Sequence, residues 1–178
     1  MSSETNFVTG LVAVLVENEV ITAKEAQALI QDFGNQSSAS FDEFVLSEGL
    51  ISKEDLLLAV SRYYQVPAVD VRGYFFDIGL VKSFPKDFLI RYGIIPMETE
   101  QNIMTVIAYC PDLPGLDSKI EEYESYVIEY RVGLWRDIID VIDECFDEPI
   151  LTEQDMCGEE AEELIEEDEL DQIPDESI

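Results

Sequence analysis

The sequence contains no histidine and few cysteines. Without histidine, the chain lacks the commonest general base and the commonest metal ligand, which excludes histidine-dependent catalytic triads. Its three cysteines, Cys110, Cys145 and Cys157, are odd in number and have no C-x-x-C spacing, so neither a disulfide framework nor a zinc site is predicted. We therefore predict no catalytic residue, no metal site and no cofactor, and cysteines kept reduced in a cytoplasm.

Basic residues are also scarce. The 178 residues include 10 Lys and Arg against 40 Asp and Glu, which gives a formal net charge of -30 at pH 7. This charge repels nucleic-acid phosphates and anionic lipid headgroups, so we expect no nucleic-acid partner. Half of the excess lies in residues 147–178, which hold 15 acidic residues and no base. Because like charges without counter-ions resist packing, we predict an acidic, largely disordered tail there.

Long apolar runs are missing as well. The first ten residues lack the basic and apolar regions of a signal peptide, and no later stretch reaches the roughly 18 apolar residues of a membrane-spanning helix. We expect a cytoplasmic protein with no direct membrane insertion. The hydrophobic content of 47% is nevertheless that of a folded domain.

Residues 1–65 read as a helical tandem repeat. Thr22 is followed three positions later by Glu25, and thirty positions further on Ser52 is followed by Asp55. Both pairs have the spacing of a capping box, which marks the start of a helix. Apolar residues recur at helical spacing on both sides of each cap, so each copy predicts a hairpin of two helices.

Residues 66–146 change period and predict a small α/β subdomain of about four strands and three helices. The strands are expected at 66–71, 94–97, 103–109 and 126–132, and the helices at 85–92, around 116–123 and at 134–146. The predicted class is α+β, with domains at 1–65, 66–146 and 147–178.

Four segments of the chain carry a family resemblance: residues 46–56, 66–70, 84–86 and 91–97. Their order and spacing resemble the N-terminal domain of the ATPases that drive type II secretion and type IV pilus assembly, with 7–33 as a degenerate first repeat. The resemblance implies a domain that docks onto other components of the machinery. The motor domain of that family carries a phosphate-binding loop, G-x-x-x-x-G-K-[ST], which this sequence lacks. We expect that this chain is not the motor.

Some members of this family bind cyclic di-GMP through the tandem repeat. Their motif begins with arginine, contains two glycines and ends with glutamine. The arginine positions correspond here to Gly10 and Ser40, the glutamine positions to Phe33 and Tyr63, and the glycine positions to Val12, Glu19, Asp42 and Gly49. Only Gly49 is retained, so a dianionic ligand would lose both cations and meet carboxylates. A nucleotide second messenger is therefore not an expected ligand.

Some of the remaining residues are candidates for partner contacts. Tyr74 and Phe75 lie in an aromatic stretch and could line an exposed patch. The tail could be a solubilising appendage, a docking or autoinhibitory segment, or a nucleic-acid mimic. If it docks, its apolar residues Leu164, Ile165, Leu170 and Ile173 are the candidate contacts.

Adjacent carboxylates elsewhere suggest solvated helix faces rather than catalysis. These pairs and groups are Glu121 with Glu122, Asp140 with Asp143 and Glu144, Asp42 with Glu43, and Glu54 with Asp55.

Three functions follow from these observations. The leading one is a non-enzymatic adaptor or regulator that binds a protein of a secretion, pilus or motility machinery. The second is a cyclic di-GMP sensor with altered contacts. The third, an enzyme, has no residues that we can assign to a reaction.

Overall fold

The computed structural model describes residues 3–35 and 40–147, which belong to one compact unit. Its first half consists of four helices: α1 (Ser3–Glu17), α2 (Ala23–Gly34), α3 (Phe41–Ser47) and α4 (Lys53–Tyr64). They follow one another as two helix–turn–helix pairs, as the repeat predicts, and α1 packs against both α2 and α4. The α+β class is confirmed. The predicted tail, apart from Asp147, lies outside the described residues.

Both predicted helix caps are present. The Thr22 hydroxyl accepts a hydrogen bond from the Glu25 N–H at 3.3 Å, and the Thr22 N–H donates to the Glu25 carboxylate at 2.7 Å, which completes the capping box. In the second copy the Ser52 hydroxyl accepts from the Asp55 N–H at 3.1 Å and donates to its carboxylate at 2.6 Å. Because the cap is local, its three-residue spacing was enough to predict it.

The second half alternates short helices with three strands. The elements are a 3-10 turn (Val71–Gly73), α5 (Ile78–Lys82), α6 (Lys86–Tyr92), β1 (Ile94–Glu100), β2 (Ile103–Ala108), α7 (Leu116–Glu121), β3 (Val127–Val132) and α8 (Trp135–Asp147). The sheet order is β1-β2-β3, with β1 antiparallel and β3 parallel to β2. A bulge interrupts the β1–β2 register between Pro96 and Glu98.

The strand predicted at 66–71 is wrong in extent. Only one bridge forms, between Ala68 and Val132, through hydrogen bonds from the Val69 N–H to the Val132 carbonyl and from the Val132 N–H to the Pro67 carbonyl, both 2.9 Å. Asp70 then accepts from the Arg72 N–H at 3.2 Å and turns the chain out of the sheet.

A fourth helix of this half, α5, was not predicted. Its five residues are too few to show a helical period, and Gly79 lies within it. It begins because the Asp77 carboxylate accepts from the N–H groups of Gly79 and Leu80, at 2.9 and 3.2 Å.

Two groups of buried apolar side chains form the core. One fills the helical half and includes Leu11, Leu15, Phe44 and Leu56, and it also takes in Leu134 from the α/β half. The other lies around the sheet and α8. The helical half does not bury its apolar surface alone, since Val132 and Leu134 of the α/β half complete its core.

Ion pairs also join the two halves. Asp137, on the first turn of α8, contacts the Lys53 ammonium at 2.8 Å and the Arg72 Nε at 2.5 Å. Asp140 pairs with Arg72 and, at 3.1 Å, with Arg136. The network therefore connects α4, the 3-10 turn and α8. Within residues 3–35 and 40–147, no helix is both long and apolar enough to cross a membrane.

The two hairpins share an unusual turn. Glu19 and Gly49 occupy equivalent positions of the repeat, and both have left-handed backbone conformations, with φ of 59° and 68°. Glycine adopts this conformation freely, whereas a residue with a Cβ is strained in it. The repeat has kept the geometry of the turn at Glu19 but not the residue that suits it.

Exchanging these two residues tests that interpretation. Glu19→Gly relieves the strain and raises the free energy of unfolding by about 1 kcal/mol, and Gly49→Glu lowers it by a similar amount. A Cβ at Gly49 has no neighbour within 4 Å among the described residues, so the effect of the second variant comes from the backbone. Urea unfolding monitored by circular dichroism measures both. A loss of stability in Glu19→Gly would contradict the prediction.

Candidate functional site

The positions that correspond to the cyclic di-GMP motif lie on the helical hairpins. Some of these positions lie far apart in the sequence but meet in the structure, so we describe them in pairs. Gly10 of α1 faces Tyr63 of α4, and a Cβ at Gly10 would collide with the Tyr63 ring. These are the first arginine position and the second glutamine position. An arginine at residue 10 therefore requires the Tyr63 ring to move.

The other pair is also filled by aromatic rings. Phe33, at the first glutamine position, lies 5.2 Å from the Phe41 ring and 5.6 Å from the Phe44 ring. Phe41 directly follows Ser40, the second arginine position. Phe33 and Tyr63, at positions that are glutamine in the resembled motif, thus belong to packed aromatic groups.

The Tyr63 ring belongs to a larger group, which we call the aromatic cluster: Phe7, Tyr63, Tyr64, Tyr109 and Trp135. The Phe7 ring lies 5.4 to 5.8 Å from the rings of Tyr63, Tyr64 and Tyr109, and the Tyr109 and Trp135 rings are 5.6 Å apart. All five side chains are half-buried. The cluster joins α1 and α4 to the end of β2 and the start of α8.

Cys110 lies at the edge of the aromatic cluster. The Tyr64 hydroxyl donates a hydrogen bond to the Cys110 Sγ at 3.5 Å. Burial raises the pKa of both the Cys110 thiol and the Tyr64 hydroxyl. A thiol with a raised pKa is a poor nucleophile, so Cys110 acts in the fold as a small apolar residue.

Asp42 is the main departure from the prediction of solvated carboxylates. The residue stands at a glycine position of the motif and is only 3% exposed. Neither carboxylate oxygen has a hydrogen-bond partner among the described residues. Burial raises its pKa, and the Ser40 hydroxyl and the N–H of Arg136, at the start of α8, oppose that effect without forming a normal hydrogen bond. Periodicity could not reveal this burial, because α8 provides part of the surroundings.

Asp143 and Glu122, two of the other carboxylates named above, form ion pairs. Asp143 pairs with Lys86 at 2.9 Å, Glu122 pairs with Lys119 at 2.7 Å, and all four side chains are at least one-third exposed. In the described part of the chain, no three Cys, Asp or Glu side chains are grouped so that they could hold a metal ion.

Tyr74 and Phe75, the predicted partner contacts, differ in exposure. Tyr74 is half-buried, with its hydroxyl 3.5 Å from the Glu98 carboxylate and its ring 4.9 Å from Phe76. Phe75 lies between them and is 98% exposed. In this extended segment alternate side chains point to opposite sides, so Tyr74 and Phe76 pack inward and Phe75 projects into solvent. The candidate tail contacts Leu164, Ile165, Leu170 and Ile173 lie outside the described residues.

Two solved structures share this fold. One, of MshE with cdg (cyclic di-GMP), has a TM-score of 0.59 and 18% identity, and the match covers 75% of this chain and 96% of that one. The other, of the N-terminal domain of XpsE, has a TM-score of 0.53 and 19% identity, and the match covers 76% of this chain and 92% of that one. The resemblance to secretion and pilus ATPase N-terminal domains is thereby confirmed at the level of the fold. No family model matches the sequence, and no curated protein sequence matches it.

Replacing Asp42 tests the cost of its burial. We expect Asp42→Asn to raise the free energy of unfolding at neutral pH by about 1 kcal/mol, because the side chain no longer carries a buried charge. Since the pKa of Asp42 is raised in the folded protein, the wild type gains stability relative to the variant as the pH falls through that pKa. The difference in the free energy of unfolding between the variant and the wild type disappears below about pH 4, where the aspartate is also protonated in the unfolded chain.

Urea unfolding at several pH values gives the measurement. The control is Glu43→Gln, at an exposed neighbour on the same turn, which should show no comparable pH-dependent gain. Asp42 lies near the N-termini of α3 and α8, whose dipoles favour a negative charge. If Asp42→Asn is less stable than the wild type at neutral pH, these N-termini stabilise the charge and the prediction fails.

Proposed function

We propose that this chain is a non-enzymatic adaptor or regulatory domain that binds a protein component of a secretion, pilus or motility machinery in the cytoplasm. The proposal combines the fold shared with the N-terminal domain of XpsE with the loss of ligand chemistry in the repeat. A domain that keeps the fold but not the ligand residues can still present a protein-binding surface.

The contact of Gly10 with Tyr63 is the observation that carries the proposal. A cyclic dinucleotide has two phosphates, and its capture calls for cations such as arginine. At the first arginine position there is no side chain, and the space beside it is occupied by the Tyr63 ring. At the second, Ser40 offers a hydroxyl and no charge.

The proposal also includes the absence of catalysis. The sequence has neither a histidine nor a phosphate-binding loop. Cys110 is the side chain that most resembles a nucleophile in the described residues, and its raised pKa keeps the thiol protonated.

Affinity purification of the full chain from its native cells tests the adaptor function. We expect a component of a secretion, pilus or motility machinery to be enriched over a tag-only control. Phe75 is 98% exposed and Leu58 is 51% exposed, so both can be replaced without opening the core. Phe75→Ser should reduce recovery by about fivefold or more if Phe75 is an anchor of the contact.

Two further variants locate the contact. Leu58→Gln, on the exposed side of α4, is the matched control and should leave recovery unchanged. A full chain with Leu164, Ile165, Leu170 and Ile173 all replaced by serine shows whether the tail contributes. Quantitative mass spectrometry provides the comparison. Recovery of no such component with the wild-type chain would refute the adaptor proposal.

The second candidate is a cyclic di-GMP sensor with altered contacts. It is favoured by one observation, the fold shared with MshE, whose structure is described as containing that ligand. Opposing it, seven of the eight arginine, glycine and glutamine positions of the motif carry other residues in this chain, and two of these residues are acidic.

Calorimetry separates the two candidates. We expect no heat of binding when the full chain is titrated with cyclic di-GMP at high micromolar concentration, because no cation replaces the two arginines. MshE, under the same conditions, is the positive control. A saturable heat with this chain would favour the sensor.

A further inference from the structure

One face of the sheet is covered along only part of its length. Residues paired across neighbouring strands point to the same face, so the register arranges this face in three rows. The rows are Ile95, Ile107 and Arg131, then Glu98, Thr105 and Glu129, and finally Glu100, Ile103 and Val127.

The first row is covered by α8 and the 3-10 turn. Ile95 and Ile107 are fully buried. A Cβ at Gly133 would lie 2.8 Å from Ile107, 2.9 Å from Val71 and 3.3 Å from Ile138, so these three side chains surround the same point. This half of the face therefore has the helical layer that an α+β sheet needs.

The last row lacks such a layer. Ile103 is 38% exposed and Val127 is 58% exposed, although they are direct cross-strand neighbours. In the middle row, Glu98 accepts a hydrogen bond from the Tyr74 hydroxyl at 3.5 Å. Adjacent apolar side chains left in solvent are typical of an interaction surface.

Glutamates border these apolar residues on two sides, with Glu100 in the same row and Glu98 and Glu129 in the middle row. Glu98, Glu100 and Glu129 are exposed, and none forms an ion pair within the described residues. The one base on the face, Arg131, stands in the covered row. The open sheet face, defined by Glu98, Glu100, Ile103, Val127 and Glu129, thus combines two apolar side chains of the last row with an anionic rim on two of their sides. Thr105, between Glu98 and Glu129, is 8% exposed.

We propose that the open sheet face docks a cationic amphipathic helix of a partner protein. Apolar residues on one side of that helix would cover Ile103 and Val127, continuing the helical layer that α8 begins. Lysines or arginines at its edges would pair with the glutamates. This inference rests on the proposed adaptor function and specifies the chemistry of the partner. The acidic segment 147–178 is a poor occupant, since its 15 acidic residues have no base among them.

A synthetic peptide provides a direct test. It has about 18 residues, enough for about five helical turns, with leucines on one face and lysines on the other. The comparison peptide has the same composition in an order that spreads leucine over all faces. Both are titrated into the isotope-labelled full chain, and the amide NMR signals are followed.

With the amphipathic peptide, we expect the largest shifts at residues 102–105 and 126–129, and weaker binding of the comparison peptide. The double variant Ile103→Thr with Val127→Thr keeps β-branched residues in the strands and should weaken binding by about fivefold. Leu58→Gln, at an exposed leucine elsewhere, is its control.

The charged rim is tested separately. Replacing Glu98, Glu100 and Glu129 by glutamine should weaken binding by about tenfold at low salt and make its salt dependence less steep. The matched control replaces three other exposed glutamates, Glu17, Glu54 and Glu121, and should have a smaller effect.

Three results would overturn the inference. They are shifts confined to residues outside the open sheet face, equal binding of both peptides, and unchanged affinity in the Ile103 and Val127 variant. The affinity purification is independent of this titration. If a partner is recovered and its binding does not depend on the open sheet face, the adaptor function is retained and this docking surface is rejected. If the peptide binds the open sheet face but no component is recovered, the docking surface is retained and the adaptor function is rejected.

Discussion

The carboxylate of Asp137 lies between two cations, the Lys53 ammonium at 2.8 Å and the Arg72 Nε at 2.5 Å, in a residue that is 8% exposed. Leaving a buried charge without partners costs several kcal/mol, so the two bases stabilise the position of α8 against the rest of the fold. Lys53 begins α4, and Arg72 lies in the 3-10 turn that follows the single bridge to β3. The helical repeat and the α/β half are thus tied at the N-terminus of α8. The chain has only ten basic residues. Those in this network cannot also pair with the glutamates of the open sheet face, which have no counter-ions among the described residues.

The aromatic cluster forms the second tie between the halves, and it occupies the space where the resembled motif has its polar residues. Tyr63 packs against Gly10 and Phe7, and through Phe7 and Tyr109 the contacts reach Trp135 on α8. Aromatic rings bury much surface and hold fixed geometries, so a group of this kind stabilises the joint between subdomains. The same atoms cannot also form an open anion site. Structural packing and ligand binding are therefore alternatives at these positions.

Local features could be predicted from the sequence, and features set by distant residues could not. The caps at Thr22 and Ser52, the glycine-ended helix α6 and the amphipathic helix α8 depend on residues a few positions apart. The strand at 66–71 failed because its apolar pattern was outweighed by the turn at Asp70. The burial of Asp42 depends partly on α8, far along the chain. The open sheet face needs the register of three strands, in which Ile103 and Val127 become neighbours only through the parallel pairing of β2 and β3.

The turn that contains Glu19 in the first copy has the same backbone geometry as the turn that contains Gly49 in the second, although the residues differ. Both residues have left-handed backbone conformations, although one is a glutamate that is strained there. The buried frame around them, with Leu15 and Ile21 in the first copy and Val45 and Ile51 in the second, holds the turn whatever side chain it carries. Because that frame maintains the turn in both copies, the residue at the turn itself can differ. Side chains that the fold does not require are more informative about function than the buried frame, and exposed apolar residues such as Phe75, Ile103 and Val127 belong to that class.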